Sequence, residues 1–163
     1  MINPFKSVLE LTKEKHYYLK QMIDATAVIY AASDADNYAA RILYLATEAM
    51  DKNNECYVSY AELDSQLGIK QSKTRTKTLN ILRLLNLVEI TNGNRKGIVM
   101  FRINANAYSK IGDAKVINDK RYCEVLNTEI VDKYGRIDQK YIDTYRAYGK
   151  NQEKVEKYDG LPF

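Results

Sequence analysis

The sequence predicts a mainly α fold with a small β-hairpin, and three observations carry that prediction. Residues 37–51 place Ile42, Leu45, Ala46 and Ala49 at i, i+3, i+4 and i+7, one apolar stripe of a helix. After Asn86 the apolar period falls to two: Val88 and Ile90 alternate before Asn92-Gly93-Asn94-Arg95-Lys96-Gly97, and Val99, Phe101 and Ile103 alternate after it. The chain of 163 residues holds only 7 Gly and 2 Pro, too few for a sandwich of many tight turns.

Taken in order, residues 5–32 read as helical, with Leu9, Leu19, Met22, Ile23 and Ile29 at rough helical spacing and no Gly or Pro after Pro4. Ser33, Asp34 and Asp36 mark a break, the two acids serving as helix caps, and the 37–51 helix ends at Asn53 and Asn54. Cys56-Tyr57-Val58 reads as a short strand. Ser59 and Glu62 form a capping box that opens a helix over 60–67, closed by Gly68. A helix from about Ser72 to Leu85 follows, with Leu79, Leu82 and Leu85 on its buried side, and Asn86 suits the left-handed position that ends it. Beyond the hairpin, residues 113–135 read as a helix with Tyr122, Val125, Leu126, Ile130 and Tyr134 on one face, and residues 138–148 as another. The segment from Gly149 to Asp159 is polar.

Composition excludes several classes. Apolar residues make up 45%, enough for a core. Two cysteines far apart, Cys56 and Cys123, suit a reduced cytoplasmic protein rather than a disulfide scaffold. The charged N-terminal stretch is no signal peptide, and the uncharged run from Ala25 to Ser33 is too short to span a bilayer. Catalysis finds no support. The one histidine, His16, sits among charges, and with Cys56 and Cys123 it lacks metal-ligand spacing. No Gly-rich phosphate loop is present, so neither a metal nor a cofactor is expected.

Charge is unevenly spread. From Gln66 to Arg102 there are eight basic residues (Lys70, Lys73, Arg75, Lys77, Arg83, Arg95, Lys96 and Arg102) and one acid, Glu89, a local excess of +7 in a chain of net charge +4. So concentrated a field suits a polyanion.

The element order over 37–104 resembles the winged helix-turn-helix superfamily of DNA-binding domains. The residues that carry the resemblance are Ala61-Glu62-Leu63-Asp64-Ser65-Gln66-Leu67-Gly68-Ile69, then Leu79 and Leu82, then the Asn86-Leu87-Val88 exit into the hairpin. It implies a winged helix core flanked by N- and C-terminal helices, with the hairpin as the wing. The first turns of the 72–85 helix, a recognition helix by that resemblance, would meet DNA through Lys70, Gln71, Ser72, Lys73, Thr74, Arg75 and Lys77, all hydrogen-bond donors and none acidic. Arg95 and Lys96 would touch the backbone or minor groove from the wing tip, with Arg83 and Arg102 as lesser candidates. Divided accordingly, the chain has a helical extension at 1–36, the DNA-binding domain at 37–108, a second helical extension at 109–148 and a flexible tail at 149–163. The flanking helices suit a homodimer on two half-sites.

Asp159-Gly160-Leu161-Pro162-Phe163 resembles the C-terminal tip of bacterial single-stranded DNA-binding proteins. That resemblance implies docking of a replication or repair enzyme on Asp159, Leu161, Pro162 and Phe163. Among the 14 tyrosines, Tyr57, Tyr60 and Tyr108 lie near the basic segment and are candidates for stacking on unpaired bases. Tyr17, Tyr30, Tyr44, Tyr122 and Tyr145 fit helix faces and are assigned to the core. The expectation is a non-enzymatic DNA-binding protein of replication, recombination or transfer, preferring single strands because of the tip. Two alternatives stand beside it: a duplex-binding transcriptional regulator or replication initiator, and a winged helix adaptor that binds no DNA.

Overall fold

A computed structural model describes residues 3–5, 19–93, 95–110 and 120–143. Four α-helices, a further helical stretch near the end and two antiparallel sheets are laid out among these residues. β1 (Lys20–Gln21) and a 3-10 turn (Ile23–Ala25) lead into α1 (Thr26–Ala35) and α2 (Asn37–Ala49). Then follow β2 (Glu55–Ser59), α3 (Tyr60–Leu67), α4 (Ser72–Leu84), β3 (Val88–Asn92), β4 (Ile98–Ile103) and β5 (Tyr108–Ser109). A second 3-10 turn spans Thr128–Ile130, and residues 139–143 are helical.

The α1–α2 break is made by Asp36, which is extended (φ −157°) and caps α2 by accepting from the Tyr38 amide at 2.8 Å. The same carboxylate oxygen accepts from the Thr78 hydroxyl at 2.9 Å, so the start of α2 is pinned to α4. Asp34 is the ninth residue of α1 rather than a cap. Asn54 turns the chain into β2 from the left-handed region (φ 59°), and its buried amide donates to the Ile103 and Tyr108 carbonyls.

The three-stranded sheet has the order β2-β4-β3, with Cys56 opposite Phe101 and Ile90 opposite Phe101 on its two ladders. Its inner face, with Cys56, Val58, Phe101 and Ile103 fully buried, covers the helical core of Ile42, Leu45, Leu63, Ile81, Leu82 and Leu85. Phe5 meets Phe101 edge to face at 5.1 Å between ring centroids. On the outer face Arg102 bridges Glu55 and Glu89 across the register. Among the described residues no helix is long and apolar enough to cross a membrane.

Burial divides the two thiols. Cys56 is wholly buried, and desolvation followed by the nearby Asp51 charge pushes its thiol far up from its ordinary range; Cys123 is exposed. An alkylating reagent is therefore expected to modify Cys123 in the native chain and to reach Cys56 only after unfolding. Two rapidly labelled thiols in native conditions would contradict this packing.

Three sequence expectations need correction. Residues 19–22 are not helical: β1 pairs with β5, a 3-10 turn spans Ile23–Ala25, and the α-helix begins at Thr26. The expected helix at 113–135 is absent over 120–135, where an extended strap and one 3-10 turn run instead. The reason is competition for its backbone. Asn104 and Asn106 both donate to the Glu124 carbonyl, Asn86 donates to that of Val125, and the Ala105 amide takes that of Tyr122. Those carbonyls are the acceptors a helix would need. Third, Tyr30 and Tyr44, assigned to the core, are 64% and 62% exposed, whereas Tyr122 is buried. Tyr17 and Tyr145 lie outside the described residues.

Candidate nucleic-acid interface

Local chemistry explains how the basic segment is presented. Ser59 caps α3, accepting from the Glu62 amide. Gly68, at φ 69°, ends it in the left-handed conformation that glycine adopts without strain. Ile69 then turns inward and is buried, which anchors the turn and leaves Lys70 exposed. α4 begins at Ser72 behind Gln71, whose extended backbone starts the helix without a side-chain cap.

The burial pattern along α4 is uneven in an informative way. Lys70, Gln71, Ser72 and Lys73 are exposed and Thr74, Arg75, Thr76 and Lys77 half-exposed, but Thr78, Leu79, Asn80, Ile81 and Leu82 are all buried. Five consecutive helical residues point all the way round the axis. Over Thr78–Leu82 the helix is therefore enclosed on every side. α1 and α2 pack against it, and the strap crosses its end, where Asn127 bonds the Leu84 and Leu85 carbonyls. The first two turns of α4 and the turn before them are open, and Arg83 and Leu84 at its far end are half-exposed.

Among the described residues no carboxylate lies within ion-pair distance of Lys70, Lys73 or Lys77, nor of Arg95 and Lys96. The hairpin presents these last two at its exposed tip. The Gly93 amide donates to the Ile98 carbonyl at 2.9 Å, and the Ile98 amide to that of Arg95 at 3.1 Å. A Cβ on Gly93 would stand 2.8 Å from the Ile98 carbonyl oxygen, so the crossing needs glycine.

Other cations of the segment are engaged within the fold. Arg75 pairs with Asp64 and lies over the Tyr60 ring at 4.1 Å, clamping α4 to α3. Arg83 bonds Asn80, and Arg102 bonds Glu55, Glu89 and the Lys120 carbonyl. The hydroxyls of Thr76 and Thr78 return to the carbonyls of Ser72 and Thr74. Replacing Arg75 by alanine is accordingly expected to cost about 1–2 kcal/mol of stability, read from a denaturant melt. A variant as stable as the parent would remove the clamp.

The stacking candidates fare unequally. Tyr108 is buried, which raises its hydroxyl pKa, and Tyr60 carries the Arg75 guanidinium on its ring. Tyr57 is half-exposed on the outer sheet face opposite Met100, its hydroxyl raised by partial burial and by Glu55 and Asp51. Among the described residues the exposed tyrosine rings are those of Tyr30, Tyr44, Tyr134 and Tyr141. Helical periodicity alone does not separate such positions from core ones, because it does not say which faces a neighbouring element covers. Among the described residues no group of three His, Cys, Asp or Glu side chains is placed to hold a metal. Asp159, Leu161, Pro162, Phe163 and His16 lie outside the described residues.

No family model matches the chain, no curated protein resembles it, and no solved structure matches it.

Proposed function

We propose that this chain is a winged helix DNA-binding protein serving replication, recombination or transfer of DNA. It would grip duplex through the start of α4 and the β3–β4 hairpin. The observation that carries the reading is the contrast along α4: sealed over Thr78–Leu82, open over its first two turns, with Lys70, Lys73 and Lys77 there free of carboxylates among the described residues. Two helical turns are what a major groove admits, and unpaired ammonium groups are what phosphates attract. Gln71 and Ser72, exposed and neutral, are the side chains of this stretch suited to base edges. Arg95 and Lys96 take the backbone or minor groove at the hairpin tip.

The second reading, single-stranded DNA with enzyme recruitment, is favoured by the Asp159–Phe163 sequence. Fluorescence anisotropy with one labelled oligonucleotide, as a strand and as its duplex, separates the two. The groove-reading account expects duplex to bind at least tenfold tighter, with affinity falling as salt rises. Tighter single-strand binding, indifferent to base order, supports the second reading. Binding of neither at low salt leaves the segment as a protein-facing surface, the role of an adaptor.

A further inference from the structure

Beside the α3–α4 turn lies an apolar groove of about 210 Å³, lined by Ala40, Arg41, Tyr44 and Leu45 of α2 and by Leu67, the last residue of α3. Leu45 and Leu67 are buried in its floor, while Tyr44 stands 62% exposed at its side. Its one charged lining residue is Arg41, whose guanidinium carbon stands 5.9 Å from the Tyr38 ring centroid. An occupant needs apolar side chains for the floor and an acid for Arg41.

Twenty residues, 144–163, follow the described part of the chain. Most of their apolar side chains alternate with cations, as in Tyr145-Arg146, Lys154-Val155 and Lys157-Tyr158. Asp159-Gly160-Leu161-Pro162-Phe163 is the exception: three apolar residues behind an acid, with no cation among them. Pro162 also lowers the entropy lost on docking. The chain from Asp143 to Leu161 reaches up to ~60 Å, well beyond the ~15 Å radius of gyration of a fold this size, so any face is within range. We propose that this groove holds Asp159–Phe163 of the same chain, Leu161 and Phe163 on the floor and Asp159 facing Arg41. Tethering sets an effective concentration on the order of mM, so an intrinsic dissociation constant near ~0.1 mM keeps the groove mostly filled. A partner that captures the tip must then displace it from the groove, which makes recruitment competitive.

The test needs no DNA and is independent of the proposed interface. A fluorescein-labelled peptide of residues 155–163 is titrated into the full chain and into a Leu161→Ala/Phe163→Ala variant. The variant is expected to bind the peptide at least tenfold more tightly, because its own tip no longer competes. Adding Arg41→Glu and Tyr44→Ala, both at exposed positions, is expected to abolish that binding while the melting temperature stays within a few degrees of the parent's. Equal affinity for the two chains would overturn the proposal, as would no binding to the variant or binding that survives the groove changes. A wild-type dimer that the tip substitutions convert to monomer would place the tip in a second copy and overturn the same-chain assignment.

Discussion

Replacing Lys70, Lys73 and Lys77 together by alanine is expected to lower duplex affinity about 10²-fold near 0.1 M salt, on the order of 1 kcal/mol for each lost phosphate contact. The three ammonium groups surround the open start of α4 and have no carboxylate partner in the described structure, so their charge is available to an outside anion. Each phosphate neutralised releases counterions, and the log–log salt slope is expected to become shallower by about 0.9 per lysine, or ~2.7 in all. Stability is expected to change little, because none of the three holds an ion pair within the fold. An unchanged slope with lowered affinity would mean that the lysines act indirectly. The comparison with Arg75→Ala is instructive. That change removes a cation from the same segment, yet it acts on the α3–α4 clamp and is expected to register in the melt rather than in the salt slope.

The largest stability effect outside the apolar core is expected at Asn104. Its side chain is fully buried and makes three bonds: its amide donates to the Asn86 and Glu124 carbonyls at 2.7 Å, and its oxygen accepts from the Asn106 amide at 2.8 Å. It therefore joins the turn after α4, the end of β4 and the strap. Alanine leaves buried polar groups without partners, at about 1–3 kcal/mol each where water cannot reach. A loss of about 3 kcal/mol follows, a fall of roughly 6–10 °C in Tm for a chain of this length. Native-state hydrogen exchange should show the loss concentrated at 120–127. Asn106→Ala, at an exposed position, is the control and is expected to cost under about 1 kcal/mol. If the two variants melt alike, the strap is not held as described.

The middle of the chain was legible because its signals are local. Ser59 and Gly68 bracket α3, Asn86 takes the left-handed turn after α4 (φ 58°), and the alternation of Val99, Phe101 and Ile103 follows β4, although Val99 is only half-buried. The strap was not legible, since Tyr122 and Leu126 have helical spacing whether or not the chain coils. What uncoils it is a set of asparagines contributed by residues 86, 104 and 106, a tertiary effect that no window of the strap contains. At the site, the exposure of Lys70, Lys73 and Lys77 agrees with the helical reading, but the engagement of Arg75 depends on Asp64, eleven residues earlier across a turn. Counting charges placed Arg75 and Arg102 beside the free lysines; only the fold distinguishes a paired guanidinium from an available one.

The most direct test is a ¹H–¹⁵N chemical-shift map of the full chain as duplex DNA is added at low salt. The account predicts perturbations over residues 70–77 and 92–98, with the enclosed stretch 78–82 and the strap at 120–127 little affected. Shifts centred elsewhere, or none at all, would contradict it.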